Sequence, residues 1–246
     1  MINFFKKIRQ TSIKESKANK YLMYAFGEVI LVVVGILIAL SVNNWNSERL
    51  EAKKLERFIH NLKLQLDKNL SNTEYYIEDN TYYYKKSREF LSIIGSQEKA
   101  VYEHYLDSLI LFNSLDFHLN LDLSTIMEAS DNGDFALIES DSLRKSIYYL
   151  VSFNKEIIER ERITNFSTNN DLGPYLNKNY NIRNLIDLGF PEENFGKSKI
   201  YKNDNHKILM DQEFENLLIK RVLNTLELLE MYVELKEVLL GIYKML

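Results

Sequence analysis

The chain has one long apolar run near its start. Residues 21–42 contain a single charged side chain, that of Glu28, among leucine, isoleucine, valine and small residues. A helix of this length, at about 1.5 Å per residue, extends roughly 33 Å, close to the roughly 30 Å hydrocarbon layer of a bilayer. Tyr21 and Tyr24 at one end and Trp45 at the other match the aromatic residues that anchor a span at both interfaces. The pattern predicts one transmembrane helix in contact with membrane lipid.

Two other interpretations of this run stay open. Basic residues precede the run and Ala39-Leu40-Ser41 has small residues at cleavage-site spacing, so a removed signal peptide is one alternative. The run is longer than the usual core of about 7–15 apolar residues in such peptides. A buried helix of a soluble core is the other alternative, although such helices seldom run this far without a polar face.

Helical periodicity continues beyond the apolar run. Neither glycine nor proline occurs between Gly35 and Gly95, and apolar residues recur at spacings of four, three and four at Leu55, Ile59, Leu62 and Leu66. The spacing predicts that the membrane helix continues outward as one long helix with a coiled-coil-like seam.

The end of the chain predicts a second long helix. Asp211 is a candidate N-cap, and two apolar stripes keep helical phase nearly to the C-terminus. The main stripe comprises Ile219, Val222, Leu226, Leu229, Val233, Leu240 and Tyr243, and the second comprises Leu228, Leu235, Leu239, Ile242 and Leu246. About 36 residues give about 54 Å of helix. That length matches the outward helix, so we expect the last helix to run antiparallel to it and to return Leu246 toward the membrane.

The middle of the chain predicts shorter elements. Tyr76, Tyr83 and Phe90 share one helical face, and we expect them to pack in a core. Further helices are expected from Lys99 to Leu115, from a capping box at Thr125 and Glu128 to Asn132-Gly133, and from Ser140 to a stop or kink at Gly173-Pro174. Residues 176–210 are irregular, with a β-hairpin as the alternative to loops. The fold class is therefore all-α or mostly so, a helical bundle attached to a membrane helix.

Composition and charge limit the class of protein. Two prolines and eight glycines leave few places for a linker, so residues 43–246 are expected to form one domain. The chain has no cysteine, which excludes disulfides and thiolate sites. Residues 1–20 carry six basic side chains against one glutamate, a net +5. Since the whole chain carries −4 and Glu28 adds one negative charge, residues 43–246 carry −8, which disfavours a nucleic-acid partner.

The charge distribution also predicts an orientation. Basic residues concentrated before a span favour a cytoplasmic N-terminus. Residues 1–20 are then a cytoplasmic basic segment, and residues 43–246 form a periplasmic domain on the inner membrane of a diderm bacterium.

One face of the membrane helix carries the candidate site. Glu28, Val32, Gly35 and Ala39 are spaced by four, three and four residues and so share a stripe. Gly35 and Ala39 form a small-xxx-small pair that lets a second helix approach closely. A carboxyl within an apolar span usually faces a partner, a cavity or a proton path. We expect association with a second copy or another inner-membrane protein; simple anchoring and an ion or proton pathway are the alternatives.

No enzyme motif is found in the sequence, so the chain is predicted to be non-enzymatic, with no catalytic residue and no cofactor. His118 lies between Asp116 and Asp122 but has no second histidine nearby, so no metal site is predicted. The charged run at residues 159–162 is expected to be a solvated helix face.

The segment KYLMYAFGEVILVVVGILIALSVNNWNSERLE at residues 20–51 resembles the N-terminal signature of a large family of uncharacterised proteins from Bacteroidota, flavobacteria above all. The later stretch ASDNGDFALIESDSLRKSIYYL resembles the same family more loosely, with Asp131-Asn132 where serine is more usual. The resemblance implies a diderm host and a periplasmic domain. The family is a domain of unknown function, so the resemblance implies no catalytic or binding residue.

Three functions follow from these observations. The first is a non-enzymatic scaffold or accessory subunit of an inner-membrane complex, associating through its membrane helix and its helical domain. The second is a subunit of an ion- or proton-coupled complex in which Glu28 is the working carboxylate. The third is a periplasmic sensor that binds a small molecule among the tyrosines and residues 176–210.

Overall fold

Helices account for most of the residues placed by the computed structural model, which describes residues 18–96, 103–193, 196, 198, 200 and 204–246. The α-helices are α1 (Ala18–Ile93), α2 (Glu103–Asn113), α3 (Ser124–Asn132), α4 (Asp141–Ser167), α5 (Gly173–Asn179), α6 (Arg183–Gly189) and α7 (Gln212–Tyr243). Shorter 3₁₀-helices span Asp134–Leu137 and Asn205–Met210, and a π-helical turn spans Thr168–Leu172. No strand occurs within these described ranges, so the all-α prediction is confirmed for them.

The chain divides into two compact units, Met1–Arg57 and Phe58–Leu246. Helix α1 crosses this boundary, so the apolar run and the predicted seam lie on one helix, as the sequence predicts. Residues 1–17, most of the predicted basic segment, lie outside the described residues.

The first unit contains the apolar half of α1. Every residue from Phe26 to Lys54 is exposed, which includes the apolar run from Phe26 to Val42. The described part of the chain has one helix with a stretch long and apolar enough to cross a membrane, and none of that stretch is buried. A core helix of a soluble protein would be mostly buried.

The second unit has a core built from three long helical segments. The part of α1 after Phe58 packs against α7, with ring centroids 6.0 Å apart for Tyr76 and Tyr232 and 5.3 Å apart for Phe90 and Phe214. Residue numbers rise along α1 as they fall along α7, so these two segments run antiparallel and that prediction is confirmed within this unit.

Helix α4 also runs antiparallel to α7. Tyr149 donates to Glu234 at 2.8 Å near one end, and Arg221 donates to Thr168 Oγ1 at 2.7 Å near the other. The buried side of α4 follows alternating spacings of three and four, as a helix packed on one face requires. Ser140 caps it by accepting the N–H of Leu143, which confirms the predicted start.

Both stripes on α7 were expected on the buried face, and this expectation is wrong for part of the main stripe. Ile219, Val233 and Tyr243 of that stripe are exposed, whereas Leu228, Leu235, Leu239 and Ile242 of the second stripe are buried. The buried face of α7 also contains Tyr232. Toward the N-terminus it comprises Phe214, Leu218, Arg221, Val222 and Thr225. The leucine-rich sequence is apolar on more than one side, and two polar residues interrupt the face that is buried. Asp211 does cap the helix, accepting the N–H of Glu213 at 2.8 Å.

The second helix is described over Glu103–Asn113, and its predicted start at Lys99 lies outside the described residues. One other local prediction needs correction. The capping box at Thr125 does not form, because α3 already begins at Ser124 and Asp122 accepts that residue's N–H at 3.1 Å. Gly133, with φ of 83°, ends the helix in the left-handed conformation, as the turn signal predicts.

The region around Gly173-Pro174 shows how the long helix α4 ends. A proline has no N–H to donate to the carbonyl four residues earlier, so an α-helix cannot continue through it unchanged. The chain adopts the π-helical turn Thr168–Leu172 there and resumes as α5 with Pro174 in its first turn. Within residues 176–210, the described elements are the end of α5, helix α6 and the 3₁₀-helix Asn205–Met210, and no described residue of this region is in a strand, so the alternative β-hairpin is not seen there.

Candidate functional site

The predicted stripe lies in the exposed apolar segment of α1. Glu28, Val32, Gly35 and Ala39 are all exposed, and their spacing places them on one side of that helix. A Cβ added at Gly35 would meet nothing within 4 Å. The stripe is therefore an open surface with a small-residue centre, which a second helix could approach closely.

The polar groups at the end of this segment are satisfied within the helix itself. Ser41 donates its hydroxyl to the Leu37 carbonyl at 2.8 Å, which removes a free donor from an apolar stretch. Trp45 is 61% exposed, and the Arg49 guanidinium lies 5.9 Å from its ring centroid. Tyr24 at the other end is exposed, and Tyr21 is half-buried. Aromatic and cationic side chains therefore flank the apolar segment at the positions of the predicted interface anchors.

A second feature was not predicted from the sequence. Residues 115–122, here named the strap, form an extended segment between α2 and α3 with no helical or strand structure. Such a segment cannot satisfy its own backbone groups, so each buried N–H and C=O needs a partner from elsewhere. Side chains from α1, α4 and α7 supply these partners.

Helix α4 binds one edge of the strap. The Asn165 amide accepts the N–H of Phe117 at 2.9 Å and donates to the carbonyl of the same residue at 2.8 Å. One turn earlier, Glu161 Oε1 accepts the N–H of Leu119 at 2.8 Å. Alternate strap residues thus pair with side chains four apart on α4, much as they would pair with a neighbouring strand.

Helix α1 binds the other edge of the strap. Asn69 donates to the carbonyl of Asp122 at 2.7 Å and accepts its N–H at 2.9 Å. Tyr76 donates its hydroxyl to the carbonyl of His118. The strap therefore runs antiparallel to both α1 and α4 and is held by polar side chains on each side.

Helix α7 contributes a buried cation at the start of the strap. The Arg221 guanidinium, from a residue only 5% exposed, donates to the Leu115 carbonyl and to Thr168 Oγ1, and it lies 4.4 Å from the Phe117 ring centroid. Burial lowers the pKa of Arg221 to about 10. The Asp116 carboxylate, the two neutral acceptors and the aromatic face of Phe117 stabilise its charge.

The charged run at residues 159–162 is only partly a solvated face. Glu159 and Arg162 are exposed and pair with each other at 2.7 Å. Arg160 pairs with Glu227 and donates to Asn224 at 2.9 Å. Glu161, in contrast, is 5% exposed and accepts the Tyr232 hydroxyl at 2.6 Å. The expectation was wrong for Glu161, because its position continues the buried spacing of α4.

Electrostatics at Glu161 follow from its burial. Desolvation raises the pKa of the Glu161 carboxyl, and the hydrogen bonds from Tyr232 and Leu119 lower it by less. The pKa of the Tyr232 hydroxyl is raised by its own burial and by the nearby carboxylate. Glu161 is thus a buried carboxyl that accepts hydrogen bonds from both the strap and α7.

The acidic residues around His118 have separate partners. Asp122 accepts from Ser124 and Lys68, and these bonds lower its pKa to about 2. Asp116 accepts from Asn169 at 3.2 Å, and His118 itself is exposed. In the described ranges, no three histidine, aspartate or glutamate residues are grouped so as to hold a metal ion.

Residues 176–210, the region proposed for ligand binding in the sensor hypothesis, contribute to a cavity and to a buried hydrogen bond. A cavity of about 320 Å³ is lined mainly by Tyr180, Asn181, Ile182, Arg183 and Ile186. The hydroxyl of Tyr180 donates to the buried carboxyl of Asp107 at 2.6 Å, and burial raises the pKa of that carboxyl. The tyrosines of α1 lie elsewhere, since Tyr76 contacts Tyr232 and Tyr83 stacks on Phe112 at 5.8 Å.

Comparison with known proteins adds one finding. No curated protein and no solved structure matches this chain. The sequence model of DUF6090, a family of unknown function, matches residues 28–168, more than half of the chain. The matched region begins at Glu28 and includes the strap, Glu161 and Asn165. The chain belongs to the DUF6090 family.

Proposed function

We propose that this protein is a single-pass membrane protein anchored by residues 21–42, and that it serves as a non-enzymatic scaffold or accessory subunit of an inner-membrane complex. The observation that carries the anchor is the exposure of residues 26–42, which have no polar face and are followed by Trp45 and Arg49. So much apolar surface, with the single carboxyl of Glu28 in it, is costly in water and favourable in lipid. The basic N-terminal segment and the resemblance to Bacteroidota proteins favour a cytoplasmic N-terminus and a periplasmic domain.

Association through the membrane helix is the working part of the proposal. The stripe of Glu28, Val32, Gly35 and Ala39 is open, and close approach at small residues is a main source of helix–helix affinity in lipid. The occupant is a second copy or the helix of another inner-membrane protein.

The test compares two faces of the same helix. Gly35→Leu with Ala39→Leu adds bulk to the stripe, whereas Val33→Leu with Leu37→Phe adds bulk to the opposite face. We expect the first variant, purified in mild detergent, to lose its oligomeric or partner-bound mass by sedimentation, and the second to keep it. Equal mass for wild type and both variants would contradict association through this stripe.

The ion- or proton-coupled alternative rests on Glu28 alone. It predicts that Glu28→Gln assembles normally yet fails to complement a deletion strain, whereas the scaffold proposal predicts that an assembled variant still complements. The sensor alternative is favoured by the cavity beside Tyr180. It predicts that Ile186→Trp, which fills that cavity, abolishes ligand-induced stabilisation without changing the mass of the assembly.

A further inference from the structure

Glu161 is a buried carboxylate on α4 that joins the backbone of the strap to the helical core of the second unit. Its Oε1 atom accepts two hydrogen bonds, from the Leu119 N–H at 2.8 Å and from the Tyr232 hydroxyl at 2.6 Å. One oxygen thus ties the strap to α7 through α4.

The two arginines beside Glu161 in the sequence and the buried arginine of α7 are engaged elsewhere. Arg160 pairs with Glu227, Arg162 pairs with Glu159, and Arg221 donates to Thr168 and the Leu115 carbonyl. Within the described part of this unit, no lysine or arginine forms an ion pair with Glu161. A buried carboxylate without a cation pays a desolvation cost that hydrogen bonds offset only in part.

The titratable groups that face Glu161 come from three elements. Tyr232 of α7 donates to it directly, and Tyr76 of α1 lies with its ring centroid 6.0 Å from that of Tyr232. From the strap, His118 is close enough to favour the charged carboxylate, but its side chain is exposed. Neither tyrosine carries a positive charge that would stabilise the carboxylate. Burial therefore remains the largest effect and favours the neutral form of Glu161.

The same face of α4 shows that a carboxyl is not needed to hold the strap. Asn165, one turn later, holds Phe117 with a neutral amide. An amide at position 161 could accept the Leu119 and Tyr232 donors without placing a charge in the core. Thr164, three residues after Glu161, is fully buried, and its hydroxyl has no partner among the described residues. That oxygen offers an acceptor on the same helical face for a proton added to the carboxyl.

We propose that Glu161 is a proton-sensitive latch on the strap, which holds residues 115–122 more firmly when it is protonated and releases them more easily when it is ionised. The neutral carboxyl keeps an oxygen that accepts the Leu119 N–H and gains a donor, for which the unpartnered Thr164 hydroxyl three residues later is the candidate acceptor. The ionised carboxyl still accepts the hydrogen bonds from Leu119 and Tyr232, but it places a negative charge without an ion-pair partner in the core. Opening the strap exposes that charge to water and removes the penalty.

The sign of the effect follows from linkage. The pKa of Glu161 is raised in the closed state relative to a solvated glutamate. The closed state therefore binds more protons, and its stability is fully present below the solvated pKa and lost as pH rises through the closed-state pKa. Between these two pKa values, strap opening should increase by up to about tenfold per pH unit.

The experiment measures hydrogen exchange of the full chain in detergent micelles between pH 5 and 8, corrected for the intrinsic pH dependence of exchange. The reporter is the peptide that contains the strap, and the variants are Glu161→Gln and the matched control Glu159→Gln on the exposed side of α4. We expect strap protection to fall with rising pH in wild type and in Glu159→Gln, and to be independent of pH in Glu161→Gln.

A second variant keeps the test decisive if Glu161→Gln does not fold. Tyr232→Phe removes one donor to the carboxylate, so the pH dependence should move to higher pH. Strap protection that is independent of pH in wild type, or that has the same pH slope in wild type and Glu161→Gln, would overturn the proposal. An unchanged midpoint in Tyr232→Phe would do the same.

Discussion

Asn165 offers the sharpest test of how the strap is held. Asn165→Ala removes an amide that bonds both the N–H and the carbonyl of Phe117, at 2.9 and 2.8 Å. Both backbone groups are buried, so each is left without a partner. An unsatisfied buried polar group costs about 1–3 kcal/mol, and the two together should lower the free energy of unfolding by about 3 kcal/mol. For a domain of this size that corresponds to a fall in Tm of about 6–12 °C.

The assay is thermal unfolding of the full chain in detergent, followed by the near-ultraviolet circular dichroism of the tyrosines. Asn72→Ala is the matched control, because its amide also reaches a strap carbonyl, that of Asn120, but at 3.4 Å and on the exposed surface. We expect the control to change the unfolding free energy by less than about 0.5 kcal/mol. A similar Tm for the two variants would refute the claim that buried side-chain amides hold the strap.

Two further predictions concern the last residue of the strap and the glycine that ends the next helix. The pKa of Asp122 is lowered to about 2 by Ser124 and Lys68, so its contribution to stability is present above the unfolded pKa and is lost as pH falls toward 2. Its side chain is 36% exposed, so screening limits this loss to about 1 kcal/mol; denaturant unfolding at pH 2 to 5 should show it in wild type and not in Asp122→Asn. Gly133 has a φ of 83° with nothing within 4 Å of an added Cβ, so Gly133→Ala should cost about 1 kcal/mol through backbone strain alone. A Tm equal to that of wild type would show that no such strain exists.

Periodicity predicted the elements well where apolar residues mark the buried face. The exposed run at residues 21–42, the continuation of α1, the caps at Ser140 and Asp211, and the antiparallel α7 all follow from spacing and cap chemistry. The expected packing of the tyrosine-rich face is also consistent with Phe90, which is fully buried.

The strap and its partners escaped prediction because their core positions are polar. Four buried polar residues occupy helical spacing, namely Asn69, Thr73 and Asn80 on α1 and Glu161 on α4. A search for apolar periodicity does not detect them because none of them is apolar. The useful signal was position rather than residue type, since Glu161 lies four residues after buried Ile157. The pairing of Asn165 with Phe117 joins residues far apart in sequence, and no local pattern carries that information.

The most direct test of the central claim uses the absence of cysteine from the chain, which lets single cysteines report topology. Ser12→Cys lies before the apolar segment, and Ser152→Cys lies at an exposed position on α4. A membrane-impermeant maleimide applied to intact spheroplasts should label Ser152→Cys and should label Ser12→Cys only after lysis, with both proteins retained in the membrane after an alkaline wash. Labelling of Ser12→Cys alone before lysis, or release of the protein by the wash, would contradict an inner-membrane anchor with a periplasmic domain.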